Sequence, residues 1–371
     1  MSCRILYLVG QLRSGGLERQ LYFLLSGLNR DRYKPEVVVW SYCEDDTYVA
    51  QIRKLGIPIH GISPALPGPI KVLVFRRLVK QLRPKVIHSY SFFTNFAAWW
   101  ATIGRDSIAI GAVQSDFVRD KHFPGPCLGR LSARWPRTQI FNNFAAAETA
   151  GRCRSPFVPK SRIVVQNGLD LESFRDSPPP VEARVQILGV GSLLPVKRWD
   201  RLMLAALELK SNGVKCLIRI AGDGPLRKTL EHQAQDLGVT DYVQFLGHAD
   251  NVPALLAASS FLVHTSDTEG CPNVIMEAMA CGRAVVATDA GDVPYLIEDS
   301  KTGFVVKRGD DATLVKRMRS LINDRELCRR MGQAGRAKAA REFGLHRLVS
   351  ETLSAYQAAG WNDERVRGAE L

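Results

Sequence analysis

Short apolar runs rich in Val, Ile and Leu alternate along the chain with segments whose apolar residues recur at helical spacing. Residues 4–9 read as a buried strand and 17–28 as a helix. Further strands are expected over 36–40, 85–88, 108–113, 139–141 and 162–165, with a helix over 70–82. Ser177-Pro178-Pro179-Pro180 then interrupts the series. Consecutive prolines lack amide donors and fix φ, so neither a helix nor a central strand continues through them, and a semi-rigid linker is expected. The alternation restarts beyond it. Strands are expected at 185–190, 216–221, 243–246, 261–264, 284–288 and 304–306, and helices at 199–210, 225–237 and 273–281. Helical segments at 311–341 and 346–358 close the chain. Apolar strands separated by helices are the pattern of parallel sheets covered on both faces. The expected class is α/β, with two Rossmann-like doubly wound domains over 1–176 and 181–345. A ligand is then expected between the carboxyl ends of the two sheets.

Composition narrows this picture. Of 371 residues, 46% are hydrophobic and 23% charged, which suits a globular chain with a full core. No run approaches the ~18 consecutive apolar residues of a membrane-spanning helix. The first strand is too short for a secretory leader and lacks a small-residue cleavage site. The eight cysteines are scattered, without a Cys-x-x-Cys pair or a Cys/His cluster of metal spacing. A reduced, cytoplasmic protein is therefore expected. The net charge of +13 is uneven: residues 1–176 hold 25 Lys and Arg against 13 Asp and Glu, and residues 177–371 hold 25 against 24. An anionic partner for the first half is one reading, and a basic face kept for solubility is the other.

The strongest chemical pattern is Glu269-Gly270-Cys271-Pro272-Asn273-Val274-Ile275-Met276-Glu277-Ala278-Met279-Ala280-Cys281-Gly282. A helix begins at Asn273 and stops at Gly282. Glu277 lies among apolar residues, where an ionised carboxylate is costly unless satisfied. Either a cation partners it, or it accepts hydrogen bonds from a ligand's hydroxyls. Glu269 sits in the loop just before, and the helix start at Asn273 and Val274 offers N–H groups suited to phosphate. A second candidate, Gly191-Ser192 through Lys197-Arg198, follows a strand, where Lys197 can meet a diphosphate. Gly222-Asp223-Gly224 ends another strand, and either a plain turn or ligand contact fits it. Gly15-Gly16 at the start of the first helix is a weaker site of the same kind. No Asp-x-Asp stands at a strand end, so no metal and no bound cofactor is expected. His88 and His122 are the histidines nearest plausible cleft positions.

Together these segments resemble the family 4 glycosyltransferases, retaining enzymes of the two-domain GT-B fold, whose domains face a central cleft. Resemblance also runs through Arg4-Ile5-Leu6-Tyr7, Gly15-Gly16-Leu17-Glu18-Arg19, Val165-Gln166-Asn167-Gly168-Leu169-Asp170 with Phe174, and Thr302-Gly303-Phe304. It implies that Glu277 binds donor ribose, that Glu269 contacts the transferred sugar, and that Lys197 holds the diphosphate. Amides near Asn273, Val274, Gly15 and Gly16 would assist Lys197, and Ser192, Arg198, Gly222 and Gly224 would lie on the donor side. It also implies a final helical segment, about 346–371, crossing back to the first domain. The chain departs from the pattern at Ser192, where an Arg often stands, with Arg198 as a compensating candidate. It departs again at Tyr90, where the family's key histidine is usual, so that role does not pass simply to His88. Asp292 and Tyr295 stand where Gly and Glu are common.

The implied reaction is transfer from a nucleoside-diphosphate sugar to a hydroxyl of a glycan or lipid-linked acceptor, in surface polysaccharide or glycolipid synthesis. Acceptor-side candidates are His88, Tyr90, His122 and Arg119. Residues 114–137 mix basic and aromatic side chains in an expected loop, and 70–85 form a basic amphipathic helix. An anionic membrane surface, at the inner face of the cytoplasmic membrane, is the expected partner. A GT-B epimerase or a non-catalytic sugar-nucleotide binder would use the same donor site. A nucleic-acid binder would explain the charge, but no such motif occurs and the Glu-x7-Glu pattern would be left without a role.

Overall fold

The computed structural model describes residues 3–174, 180, 184–249 and 251–362. Most of the proline run at 177–180 lies outside these residues. The chain divides into two compact units. Unit 1 is Met1–Gly168 with Leu345–Leu371, and unit 2 is Leu169–Gly344.

In unit 1 the strands are β1 (Cys3–Val9), β2 (Tyr33–Val39), β3 (Ile59–Gly61), β4 (Val86–Ser89), β5 (Ile108–Val113), β6 (Thr138–Phe141) and β7 (Ser161–Val164). They form one parallel sheet in the order β3-β2-β1-β4-β5-β6-β7. The intervening helices are α1 (Gly16–Gly27), α2 (Thr47–Lys54), α3 (Gly68–Leu82), α4 (Asn95–Thr102), α5 (Phe117–His122), α6 (Pro126–Arg134) and α7 (Phe144–Arg152). Strand β1 shows why the sheet is central. Ile5, Tyr7 and Val9 pack with Leu21, Leu24 and Tyr356 on one face, while Leu6 and Leu8 meet Phe75 and Val79 on the other. That is the period of two expected of a strand covered on both sides.

Unit 2 repeats the plan with β8 (Val185–Val190), β9 (Cys216–Ala221), β10 (Val243–Gly247), β11 (Phe261–His264), β12 (Ala284–Thr288) and β13 (Gly303–Val306), in the order β10-β9-β8-β11-β12-β13. Its helices are α8 (Asp200–Ser211), α9 (Arg227–Asp236), α10 (Val252–Ala257), α11 (Asn273–Ala280), α12 (Val293–Leu296), α13 (Asp311–Asn323) and α14 (Arg325–Glu342). The last helix, α15 (Leu345–Ala358), returns to unit 1 and packs on α1.

Two expectations are corrected here. Residues 114–137 hold α5 and α6 rather than a loop: Asp116 caps α5 by accepting from the Arg119 N–H at 2.8 Å, and Pro126 opens α6. The span 311–341 is two helices, because Asp324 accepts from the Leu327 N–H at 2.8 Å and starts α14 afresh. Both breaks use caps rather than a change of hydrophobic period.

His88 and Tyr90 are also relocated. Val86 and His88 on β4, with Tyr90 just beyond its end, share one face, which lies against the α1 and α15 side of the sheet. His88 is 2% exposed and Tyr90 4%. The His88 Nδ1 lies 2.8 Å from the Tyr356 hydroxyl, which in turn donates to the Tyr7 hydroxyl at 3.3 Å. His88 thus ties α15 to the sheet, and Tyr90 packs beside it in the core. Burial pulls the His88 imidazole down to about 3, because a buried cation loses its hydration. The folded state therefore resists protonating a group that titrates near its ordinary value once unfolded. Stability should be full above about pH 6.5 and fall as pH drops from there toward 3, by about 2 kcal/mol at pH 5. Urea unfolding of wild type and His88→Phe at pH 7.5 and 5 checks this: the variant should lose most of that pH dependence, and equal slopes would dismiss it.

Candidate functional site

In unit 2 the strand order reverses between β8 and β11, so the loops leaving these strands diverge and open a crevice above them. The loop after β8 carries Gly191 through Arg198, and the loop after β11 carries Thr265 through Pro272. Backbone bonds join the two loops. The Asp267 N–H donates to the Val196 carbonyl at 2.8 Å, and the Thr265 hydroxyl donates to the Lys197 carbonyl at 2.8 Å. This brings together side chains 72 residues apart: the Lys197 Nζ donates to the Glu269 Oε1 at 2.5 Å. The same oxygen accepts from the His264 Nε2 at 3.0 Å. Burial pushes the Glu269 carboxyl up, but the His264 hydrogen bond and the charges of His264 and Lys197 outweigh it and hold it well below the usual carboxylate range. Glu269 is thus an anion held between a lysine and a histidine.

Two neighbouring loops hold this pair in place. Gly222 has φ +146°, and a Cβ there would lie 2.0 Å from the Gly191 carbonyl oxygen. The Leu193 N–H also donates to the Asp223 carbonyl at 2.9 Å. The Gly222 turn therefore serves close packing of the lysine loop. Beyond β12, the Asp292 N–H donates to the Gly270 carbonyl at 2.9 Å, and a Cβ on Gly291, at φ +55°, would lie 2.4 Å from the Glu269 carbonyl oxygen.

Helix α11 begins four residues after Glu269, with Pro272 at its cap, whose side chain makes no capping hydrogen bond. Asn273 and Val274 are half-buried there, and Glu277, one turn on, is 2% exposed. Lys197, Glu269, Asn273 and Val274 thus share the crevice end of unit 2, as do Ser192 and Gly224 in the adjoining loops. Arg198 does not join them. Its backbone is left-handed at φ 50°, and its guanidinium binds Asp200 at 2.8 Å and Asp267 at 3.0 Å. Those carboxylates raise its already high pKa. It braces the loop and is not a free substitute for the Arg absent at Ser192. Sequence reasoning missed His264, although a histidine ending a buried strand five residues before Glu269 was a readable signal.

In unit 1 a cavity of about 660 Å³ opens at the carboxyl ends of β1, β2, β4 and β5. Its lining includes Glu18, Ser41, Phe93, Gln114, Arg119, Asp120 and Phe123. Of the acceptor-side candidates only Arg119 lies here. His122 is exposed and directs its Nδ1 to the Val118 carbonyl of its own helix at 2.8 Å. Gly15 caps α1, and the Glu18 carboxylate folds back over it so closely that a Cβ on Gly15 would lie 2.3 Å from Oε2. Burial, with repulsion from Asp46, raises the Glu18 carboxyl pKa, and burial raises that of Asp120. Gln114, Asp120 and Phe123 fall in the basic and aromatic segment 114–137 that the sequence marked as a stretch without naming them individually, and Phe93 lies in a stretch without a recognisable motif. Among the described residues no three His, Cys, Asp or Glu side chains gather as a metal site.

Two family models cover most of the chain. Residues 15–155 match the glycosyl transferase 4-like domain, and residues 170–338 match the glycosyl transferases group 1 domain. The chain belongs to the family 4 glycosyltransferases. Among curated relatives, it is 30% identical over 175 residues to N-acetyl-alpha-D-glucosaminyl L-malate synthase of Bacillus anthracis, covering 47% of this chain and 46% of that protein. It is 31% identical over 212 residues to a GDP-mannose-dependent alpha-(1-6)-phosphatidylinositol monomannoside mannosyltransferase of Mycolicibacterium smegmatis, covering 52% of this chain and 56% of that one. The chain thus spans about half the length of the curated relatives it matches. Anabaena HepE, solved in complex with UDP, superposes with a TM-score of 0.82 at 22% identity, covering 96% of this chain and 100% of that one. This likeness assigns the GT-B fold.

The loop packing is open to a direct check. Gly222→Ala should lower stability by about 1–3 kcal/mol in urea unfolding, because the added methyl meets backbone that cannot rotate away. A change within experimental error would mean that the loops repack freely.

Proposed function

We propose that this protein is a retaining glycosyltransferase that moves a sugar from a nucleoside-diphosphate sugar to a hydroxyl of a glycan or lipid-linked acceptor. The reaction would serve surface polysaccharide or glycolipid synthesis at the inner face of the cytoplasmic membrane. The observation that carries this reading is the Lys197–Glu269–His264 cluster at the switch point of unit 2, beside the start of α11.

In this reading Lys197 leaves Glu269 when the donor arrives and pairs with its diphosphate. Amides at Asn273 and Val274 share that negative charge, and Glu277 binds the ribose hydroxyls. Departure of the nucleoside diphosphate builds negative charge on phosphate and positive charge on the sugar ring. Lys197 and the helix amides stabilise the first, and the Glu269 carboxylate, kept ionised by its partners, stabilises the second. The leaving phosphate takes the acceptor's proton. Phosphate charge is met by these groups without a metal ion, so EDTA should leave turnover within about twofold, and a loss restored by a divalent cation would refute that point. HepE has been solved with UDP and with UDP-glucose, and the mycobacterial relative is GDP-mannose-dependent, so uridine and guanosine donors lead the search.

Thermal shift with UDP, GDP, ADP and their sugar conjugates tests the donor site. One nucleotide should raise the melting temperature, and Glu277→Gln or Lys197→Ala should abolish most of that rise while remaining folded. Absence of any shift in wild type would sink the donor reading. Turnover of Lys197→Ala equal to wild type would sink the role given to the lysine. Product analysis without acceptor separates transfer from epimerisation.

A further inference from the structure

Helix α3 has a divided surface. Phe75 and Val79 face the core, and Lys71 goes with them: it is 6% exposed, and its Nζ donates to the Trp40 carbonyl at 3.0 Å and the Ser41 hydroxyl at 3.1 Å. Arg76 is also engaged. Its guanidinium donates to the Trp100 and Ile103 carbonyls and lies 4.5 Å from the Trp100 ring centre. So two of the six cations that the sequence puts on this segment hold the helix to the domain. What faces outward instead is apolar: Ile70, Leu73 and Val74 are 44%, 59% and 38% exposed. Their spacing puts them on one stripe of the helix, which continues into Arg77 and Lys80. Ile103, at the end of neighbouring α4, adds a fourth exposed apolar side chain at 45%.

The basic end of this stripe runs into a cavity of about 550 Å³ where α3 and α4 end and β4 and β5 begin. Lys80, Arg83, Lys85 and Arg105 line it, with Asp106 as its one acid. Cations at helix carboxyl ends ordinarily serve to satisfy the last carbonyls. That accounts for Arg105, which donates to the Ala101 carbonyl at 3.0 Å, and Lys85 is paired with Asp106. It does not account for Lys80 or Arg83, whose side chains make no hydrogen bond or ion pair among the described residues. Arg83 also holds a left-handed backbone at φ 49°, a conformation that costs a non-glycine residue energy.

We propose that the α3–α4 face is a docking site for an anionic lipid bilayer: Ile70, Leu73 and Val74 enter the headgroup boundary while Lys80 and Arg83 take a lipid phosphate into the cavity beside them. Charge complementarity argues for this occupant, since the unit that presents the face carries nearly all the chain's positive excess. An exposed apolar stripe ending in unpaired cations matches the layering of a bilayer surface, with hydrocarbon beside phosphate. The start of α3 is anchored at Ser41, which lines the carboxyl-end cavity of unit 1. The Ile70 end of this face is therefore the end nearer that cavity. This inference gives a residue-level surface to the membrane partner proposed above and rests on that reading only for its purpose.

The test is co-sedimentation of the full chain with phosphatidylglycerol/phosphatidylcholine vesicles and with pure phosphatidylcholine vesicles at low and high salt. Wild type should sediment with the anionic vesicles, and binding should fall as salt rises. Lys80→Glu with Arg83→Glu should weaken it by about fivefold or more per charge. Leu73→Gln with Ile70→Gln should weaken it about tenfold at both salt levels. Inorganic phosphate at millimolar concentration should not release the protein, whereas release would overturn the lipid in favour of a soluble phosphate ligand. No sedimentation of wild type, equal binding to both vesicle types, or full binding by the Lys80/Arg83 variant would each overturn the proposal. Melting temperatures confirm folding, and the nucleotide shift measured on the same samples separates the two readings. Lost vesicle binding with an intact nucleotide shift in the variants supports the docking face. A wild type that responds to nucleotide but ignores vesicles overturns the face alone, and one that binds vesicles without a nucleotide response overturns the donor site alone.

Discussion

Glu269 is held as an anion with its side chain only 12% exposed, and the surrounding loops of unit 2 make that charge tolerable. Burial alone would push a carboxyl toward its neutral form. Here a lysine and a histidine converge on one of its oxygens and reverse the effect. His264 lies five residues before Glu269, whereas Lys197 is 72 residues away in sequence. Lys197 arrives from the loop after β8, and His264 ends β11, so the pair exists only because parallel pairing sets those two strands side by side.

The same constraint orders the surrounding backbone. The lysine loop is pinned to the β11 loop by two hydrogen bonds and to the β9 turn by close contact at Gly222. The Glu269 loop is pressed from the other side by Gly291. The loop backbones are thus held on several sides, while Lys197 reaches Glu269 through a flexible side chain. That combination suits a group that must meet a large anion and release it again. Arg198 lies next to this lysine, yet two carboxylates fix it in place, so adjacency in sequence is a poor guide to availability.

Unit 1 uses its side chains differently. Its carboxyl-end cavity is lined by aromatic rings and by two carboxyls whose pKa burial raises, a surface suited to a ligand with both apolar and hydroxyl-bearing parts. Its outer face sets exposed Leu and Ile beside unpaired Lys and Arg. Between these surfaces α3 is fastened inward by Lys71, which shows how a charged residue on a helix can be structural once its ammonium reaches backbone carbonyls.

The sequence by itself determined the α/β class, most of the central strands and the helix that starts at Asn273. Runs of β-branched residues and helical spacing are local signals, and local signals survive without knowledge of the fold. It did not reveal short elements such as α5, α6 and α12, whose starts are set by the Asp116 cap or by a proline in the first turn rather than by a period. Nor could it decide which charged residues are free. His88 and Tyr90 look like site residues in the chain and lie in the core, because the face a strand residue occupies depends on what covers that face, here Tyr356 from the far end of the sequence. Only tertiary structure could pair Lys197 with Glu269, commit Arg198 to Asp200 and Asp267, and leave the Lys80 and Arg83 side chains without a hydrogen bond or ion pair among the described residues. Ion pairing and burial are set by distances between segments remote in sequence, and those distances do not exist until the sheets form.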